Sequence, residues 1–337
     1  MPAHPPDWEC DSIKVTDKPS FDKIAADVSP AIPAPTTTIS SLIIKMTKLS
    51  NIEVSEICNQ LGESLPKNIS QIHGGDIHTS FKLDFKDKSF FLKKNIRKEK
   101  FLKFEYLCLR DLEKYINHEN LKIPKIYSYL EIKDTEILII EWIEMNNSSQ
   151  LKLGKGLAEM HIKSNKSNPN KFGYQEEGFI GLNRQVSGWE KNWSDCFVNL
   201  RIKPQLKKLK KNTFNSKTIS ILISKIIAIL NRHNPTITLV HGDLWSGNVG
   251  INSCDKGIIY DPACWWADSE VDIAMTLLFG GFKQEFYEEY FKVLPKKKEF
   301  EKRVPIYNFY HILNHANMFG GGYLSQADEY IKIILNL

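Results

Sequence analysis

The 337-residue sequence has no apolar run approaching the roughly 20 residues that a membrane-spanning helix needs, which argues against a membrane partner. Its six cysteines, at 10, 58, 108, 196, 254 and 264, form no CxxC pair and show no cysteine–histidine spacing suited to zinc. No secretory signal is present, so the thiols are expected reduced, in a cytoplasmic-type compartment. Charge of one sign is also lacking: 45 Lys+Arg against 40 Asp+Glu leave a formal charge of +5. The basic residues are scattered, and the short run Lys296-Lys297-Lys298 reads as solvated surface, so nothing supports a nucleic-acid partner. Oligomeric state cannot be read from the sequence.

What is there begins with an ordinary globular composition, 42% hydrophobic and 25% charged, over a length that suits one large or two ordinary domains. Residues 1–45 stand apart. Seven of the 15 prolines fall in the first 35 positions, and no hydrophobic periodicity is visible. An extended or disordered arm is expected there, either a real extension or the result of a coding start placed upstream of Met46.

The most informative stretch is Val240 to Ala263. An Asp, four residues, an Asn, and then an Asp after the apolar Ile258-Ile259-Tyr260 form a phosphoryl-transfer arrangement. Asp and Asn in loops commonly turn or cap the backbone. Both spacings and the preceding strand set this pattern apart. Asp243 would orient an acceptor hydroxyl and accept its proton, while Asn248 and Asp261 would offer oxygen ligands to magnesium beside ATP phosphates. His241 is expected to brace the loop. Trp245 either walls an acceptor pocket or packs, and Trp265-Trp266 either cover the acceptor or lie under the loop. Asp272 reads as a structural carboxylate that holds the catalytic-loop backbone.

Upstream, Ile57, Leu61 and Leu65 predict a short helix over 54–65. Strands flank Gly74-Gly75, whose backbone could approach phosphate closely. The strand Phe90-Phe91-Leu92-Lys93 presents Lys93 for phosphate contact, with Lys94 on the opposite face. A helix over 98–116 offers Glu105 beside its apolar stripe as the partner of Lys93. Strands at 126–132 and 136–142 lead to a polar linker, and Glu141, Trp142 and Ile143 would form the hinge that meets adenine through backbone groups. The loop-rich stretch 166–186 is a candidate acceptor-lining segment. A helix from about Gly188 would carry Trp189, Trp193, Phe197 and Leu200. Arg201 reads more as a surface ion pair than as a substrate contact. Further helices are expected at 217–231, 284–293, 300–319 and 323–337.

With HGDLWSGN, IIYDPACWWADSEVDIAM, FGGF and YNFYHILNHANMFGGGY in view, the chain resembles the fructosamine/ketosamine-3-kinase family, over about residues 46–337. The HGDLWSGN–YDPA pair is shared with that family and its aminoglycoside- and choline-kinase relatives. The resemblance implies an α+β, bilobal protein-kinase-like fold, with an N-lobe over 46–144 and a mostly helical C-lobe over 145–337. It implies ATP-dependent phosphorylation of the C3 hydroxyl of ketosamines, as small molecules or on glycated proteins. The 3-phosphate then eliminates and frees the amine. Bacterial-type relatives imply a preference for ribulosamines and erythrulosamines over fructosamines. Many eukaryotic members carry a cysteine in the Gly-rich loop; the matching position here is Asp76, so a thiol switch at that place is not expected. A kinase for another small hydroxyl acceptor, or a nucleotide-binding pseudokinase, remains the alternative. The second would be signalled by loss of Lys93, Asp243, Asn248 or Asp261, and all four are present.

Overall fold

A capping box starts the first helix. The Ser50 N–H donates to Glu53 Oε2 at 2.7 Å, and the Glu53 N–H donates back to Ser50 Oγ at 3.3 Å. The helix therefore runs Asn51–Leu61 (α1) and stops at Gly62, which takes a left-handed φ of 65°. The apolar spacing had placed it at 54–65; the cap and the terminating glycine move it upstream and leave Leu65 exposed. The structure, a computed structural model, describes residues 48–72, 78–211 and 213–337. The arm expected at 1–45, and the Gly74-Gly75 turn with Asp76, lie outside the described residues.

The N-lobe is built on an antiparallel sheet of β1 (Asn68–Ile72), β2 (Thr79–Asp84), β3 (Ser89–Asn95), β5 (Ile126–Ile132) and β6 (Thr135–Glu141), in the order β1-β2-β3-β6-β5. The helix α2 (Phe101–Glu113) follows β3, and the two-residue β4 (Leu121–Lys122) precedes β5. Side chains alternate across the central strands. Phe90, Leu92, Ile137 and Ile139 join Ile57 and Cys58 of α1 in one core, while Leu138 and Ile140 share the other with Leu102, Leu109 and Leu112 of α2. This alternation sends Lys93 toward α2 and Lys94 toward α1.

Beyond β7 (Met145–Asn146) the chain turns mainly helical with α3 (Leu151–Asn165). The stretch expected to be irregular holds three short strands, β8 (Phe172–Tyr174), β9 (Gly178–Ile180) and β10 (Asn183–Gln185). The expected helix from Gly188 is instead β11 (Gly188–Glu190), paired with β8. Glycine decides this local structure. Gly173 and Gly188 both have positive φ, and a Cβ on Gly173 would lie 2.0 Å from the Gly188 carbonyl oxygen. Trp189 is therefore a strand residue, and the helix begins at Trp193 as α4 (Trp193–Phe197). It runs through a π-helical turn (Val198–Ile202) into α5 (Lys203–Lys208).

The helix α6 (Ser216–Leu230) leads to β12 (Ile237–Val240). A 3-10 turn (Ser246–Asn248), β13 (Val249–Asn252), β14 (Gly257–Ile259) and β15 (Trp265–Asp268) follow. The lobe closes with α7 (Glu270–Leu278), α8 (Gln284–Val293), α9 (Phe300–Phe319) and α10 (Gly322–Leu335). Strands β4, β14, β13 and β7 form one small sheet, and β11, β8, β15 and β12 another. The core beneath the loops is aromatic: Trp265, Phe197, Tyr307 and Tyr310 are almost completely buried, each worth about 1.5–3 kcal/mol of apolar burial. No helix among the described residues is long and apolar enough to cross a membrane.

Candidate active site

The loop after β12 is held by one buried carboxylate at the start of α7. Asp272 Oδ2 accepts the His241 N–H at 2.7 Å and Oδ1 accepts the Gly242 N–H at 2.8 Å. His161 Nε2 lies 3.2 Å from Asp272 Oδ2, and its Nδ1 lies 2.8 Å from the Tyr290 hydroxyl. Asp272 thus has the structural role its sequence position suggested. His241 braces the loop as expected, with Nε2 2.9 Å from the Tyr260 carbonyl and Nδ1 3.4 Å from the Asp243 N–H. Those two contacts fit a neutral imidazole with its proton on Nε2, and burial accordingly lowers its pKa.

Asp243 and the Asp261 segment are tied together by Asn248. Its Nδ2 donates to the Asp243 carbonyl at 2.9 Å, to Asp243 Oδ2 at 3.3 Å and to the Asp261 carbonyl at 3.4 Å. With Nδ2 so engaged, Oδ1 is the amide atom left to act as a ligand. Burial pushes the Asp243 carboxyl up to about 7; the Asn248 hydrogen bond opposes the shift and the charge of Asp272 adds to it. A carboxylate poised there can accept a hydroxyl proton near neutrality.

Lys93, 6% exposed, pairs with Glu105 Oε1 at 2.8 Å, and its Nζ also contacts the Asp261 carboxylate. The lysine, helix glutamate and second aspartate chosen from sequence therefore meet at one point. Lys94 lies on the other face, against Glu53 Oε1 at 2.9 Å and the Lys48 carbonyl at 2.8 Å. Glu53 was not singled out from the sequence, although the Ser50-x-x-Glu53 pattern is a readable capping box.

Glu141 ends β6 opposite Phe90. Its N–H is committed to the Lys125 carbonyl at 2.8 Å and its carboxylate to Lys122. Trp142 and Ile143 follow directly, and the Trp142 ring sits 4.6 Å beneath Lys82 Nζ. Gly74 and Gly75 cannot be placed, since they lie outside the described residues.

One expectation is corrected nearby. Arg201 makes no surface ion pair; it is completely buried, its Nη1 donates to the Val186 and Leu200 carbonyls, and its guanidinium lies 3.9 Å from the Trp265 ring centre. Trp265 packs under the loop, whereas Trp245, two positions after Asp243, is 40% exposed. Among the described residues, His233, Asp268 and Glu270 bring potential metal-ligating atoms within 4.8 Å. Arg303 already holds Glu270 at 2.6 and 2.8 Å, and Tyr307 holds Asp268 at 2.7 Å, so the cluster is a satisfied network.

Residues 50–337 match the family described as fructosamine kinase. The chain belongs to that family. This fructosamine-kinase-family protein is 34% identical over 269 residues to a Synechocystis protein named probable ketoamine kinase, covering 79% of this chain and 90% of the relative. It is 33% identical over 277 residues to protein-ribulosamine 3-kinase, chloroplastic, of Arabidopsis thaliana, covering 79% and 83% of the two chains. A crystal structure from Haemophilus somnus 129PT, described as a fructosamine-3-kinase, superposes with a TM-score of 0.75 at 25% identity, covering 84% of this chain and 96% of that one. The family member described here is thus an ATP-dependent kinase with a bilobal kinase-like fold.

Proposed function

We propose that this enzyme transfers the γ-phosphoryl group of ATP to the C3 hydroxyl of ketosamines, ribulosamines and erythrulosamines ahead of fructosamines. The observation that carries the mechanism is the convergence of Asp243, Asn248, Asp261, Lys93 and Glu105 on one loop–strand junction. Asp243 orients the C3 hydroxyl and accepts its proton late, because the transition state is loose and demands little base strength. A bond forms between the C3 oxygen and the γ-phosphorus as the bond to the ADP oxygen breaks. Lys93, held by Glu105, exchanges its contact with Asp261 for the nucleotide phosphates. The peptide groups of Glu141–Ile143 take the adenine edge, and Gly74-Gly75 cover the phosphates.

Asn248 Oδ1 and the Asp261 carboxylate are hard oxygen donors on two residues joined by the Asn248 Nδ2–Asp261 carbonyl hydrogen bond, the donor chemistry that suits magnesium. Bound there, magnesium would neutralise charge on the transferring phosphates. The ketosamine 3-phosphate then eliminates and releases the free amine, a deglycation of small molecules or of glycated proteins in the cytoplasm. The five cysteines described are all free thiols, in keeping with that compartment.

The test is ATP- and magnesium-dependent phosphorylation of ribulose-lysine, erythrulose-lysine, fructose-lysine, an aminoglycoside and choline, with Asp243→Ala as control. Turnover confined to ketosamines and absent from the variant is the expected result. Turnover only of the aminoglycoside or choline would overturn the acceptor.

A further inference from the structure

Asp261 is one of few non-glycine residues with a left-handed backbone, at φ 56°. Such a conformation costs about 1–3 kcal/mol and persists only where its surroundings fix it. On one side the catalytic loop supplies the hold: the Ala263 N–H donates to the His241 carbonyl at 2.8 Å, and the Tyr260 N–H to the Asn248 carbonyl at 3.1 Å. On the other side the hold comes from a distant part of the chain. Gln185 Nε2 donates to the Ala263 carbonyl at 3.2 Å and to the Cys264 carbonyl at 3.4 Å.

The Gln185 amide is itself oriented. Its Oε1 accepts the Tyr310 hydroxyl at 3.0 Å. Reversing the amide would set its oxygen against two carbonyls, so this is the one orientation that satisfies every group. Gln185 is 3% exposed and Tyr310 1% exposed. Arg201 supports the same strand end from behind, through the Val186 carbonyl at 3.0 Å and the face of Trp265. Neither Gln185 nor Tyr310 opens to solvent, and a fully satisfied buried polar network rigidifies the groups it joins.

We propose that Gln185, oriented by Tyr310, is a positioning residue for Asp261, fixing the left-handed turn that aims its carboxylate. The inference rests on the proposed role of Asp261 in phosphoryl transfer. It gives β10, a strand with no catalytic motif, a direct part in setting the metal-binding geometry.

The experiment uses the full chain with Gln185→Met, Tyr310→Phe, the double variant and Asp261→Asn. Three quantities are read: hydrogen exchange over 260–265, Mn²⁺ binding by electron paramagnetic resonance with a non-hydrolysable ATP analogue, and kcat and KM for ATP and acceptor. Gln185→Met is expected to speed exchange in that segment and to weaken Mn²⁺ binding about 10- to 100-fold, the usual scale for groups that orient a metal ligand. Its kcat should fall while the acceptor KM stays put. Tyr310→Phe, which removes one oxygen and serves if Gln185→Met does not fold, should move the same quantities less far. The double variant should be no worse than Gln185→Met, because both act through one amide. A lowered melting temperature with exchange, Mn²⁺ affinity and kcat all unchanged would overturn the positioning role alone, provided that Asp261→Asn abolishes binding and turnover. Wild-type behaviour of Asp261→Asn would overturn the role of Asp261 and the proposal with it.

Discussion

Asp272→Asn tests how the loop geometry is held. The carboxylate receives three donors: two backbone N–H groups, at 2.7 and 2.8 Å, and His161 at 3.2 Å. Asparagine keeps one acceptor oxygen and turns an NH2 group against at least one N–H. Hydrogen bonds to a charged group contribute about 1.5–3 kcal/mol each, and removing one partner of a buried charge pair costs about 3–5 kcal/mol. The variant should therefore lose about 3–5 kcal/mol, read as a lowered urea midpoint, and should turn over more slowly because Gly242 and Asp243 are no longer anchored. The pH dependence carries a sign. Burial alone would raise the Asp272 carboxyl, but His161, His241 and the Gly242 N–H outweigh it and hold it below the usual carboxylate range. A depressed folded pKa gives stability that is present above the unfolded value, about 3.9, and is lost as pH falls through the folded value. The gap between wild type and variant should therefore be full at pH 7 and shrink below about pH 4. A loss under 1 kcal/mol at pH 7, or a gap that grows on acidification, would refute the reasoning.

The raised carboxyl of Asp243, at about 7, should give kcat/KM an ascending limb, tenfold per pH unit below an inflection near neutrality; a flat profile from pH 5 to 8 would contradict it. Asp243→Ala should lose turnover by orders of magnitude with ATP binding largely kept, as read by calorimetric titration. Lys93→Met should raise the ATP KM by about tenfold or more and leave the acceptor KM unchanged, since the buried Lys93 joins Glu105 and Asp261. Gly242→Ala combines a φ of +81° with a Cβ 2.2 Å from the Ala263 carbonyl oxygen, and should cost well over the ~1 kcal/mol of Gly62→Ala, whose Cβ meets open space; denaturant midpoints of the two compare them directly.

The sequence by itself determined the reaction class, because phosphoryl transfer places an Asp, an Asn and a second Asp at spacings set by one loop and one hairpin. Those residues are close along the chain, so their proximity survives folding by local geometry alone. The period of two in β3 likewise told Lys93 from Lys94, and the apolar stripe beside Glu105 predicted its partner. Tertiary structure alone decided the rest. Whether residues 188–190 are helix or strand depended on Gly173 and Gly188 approaching across two strands, a contact no local pattern carries. Arg201 looks like a surface charge in sequence, yet the core closes over it and stacks it on Trp265, 64 positions away. Gln185 bears no motif, and only the packing of α9 against β10 brings Tyr310, 125 residues on, to orient its amide. Hydrogen bonds between distant residues follow from how elements pack, and one chain read in order holds no record of that packing.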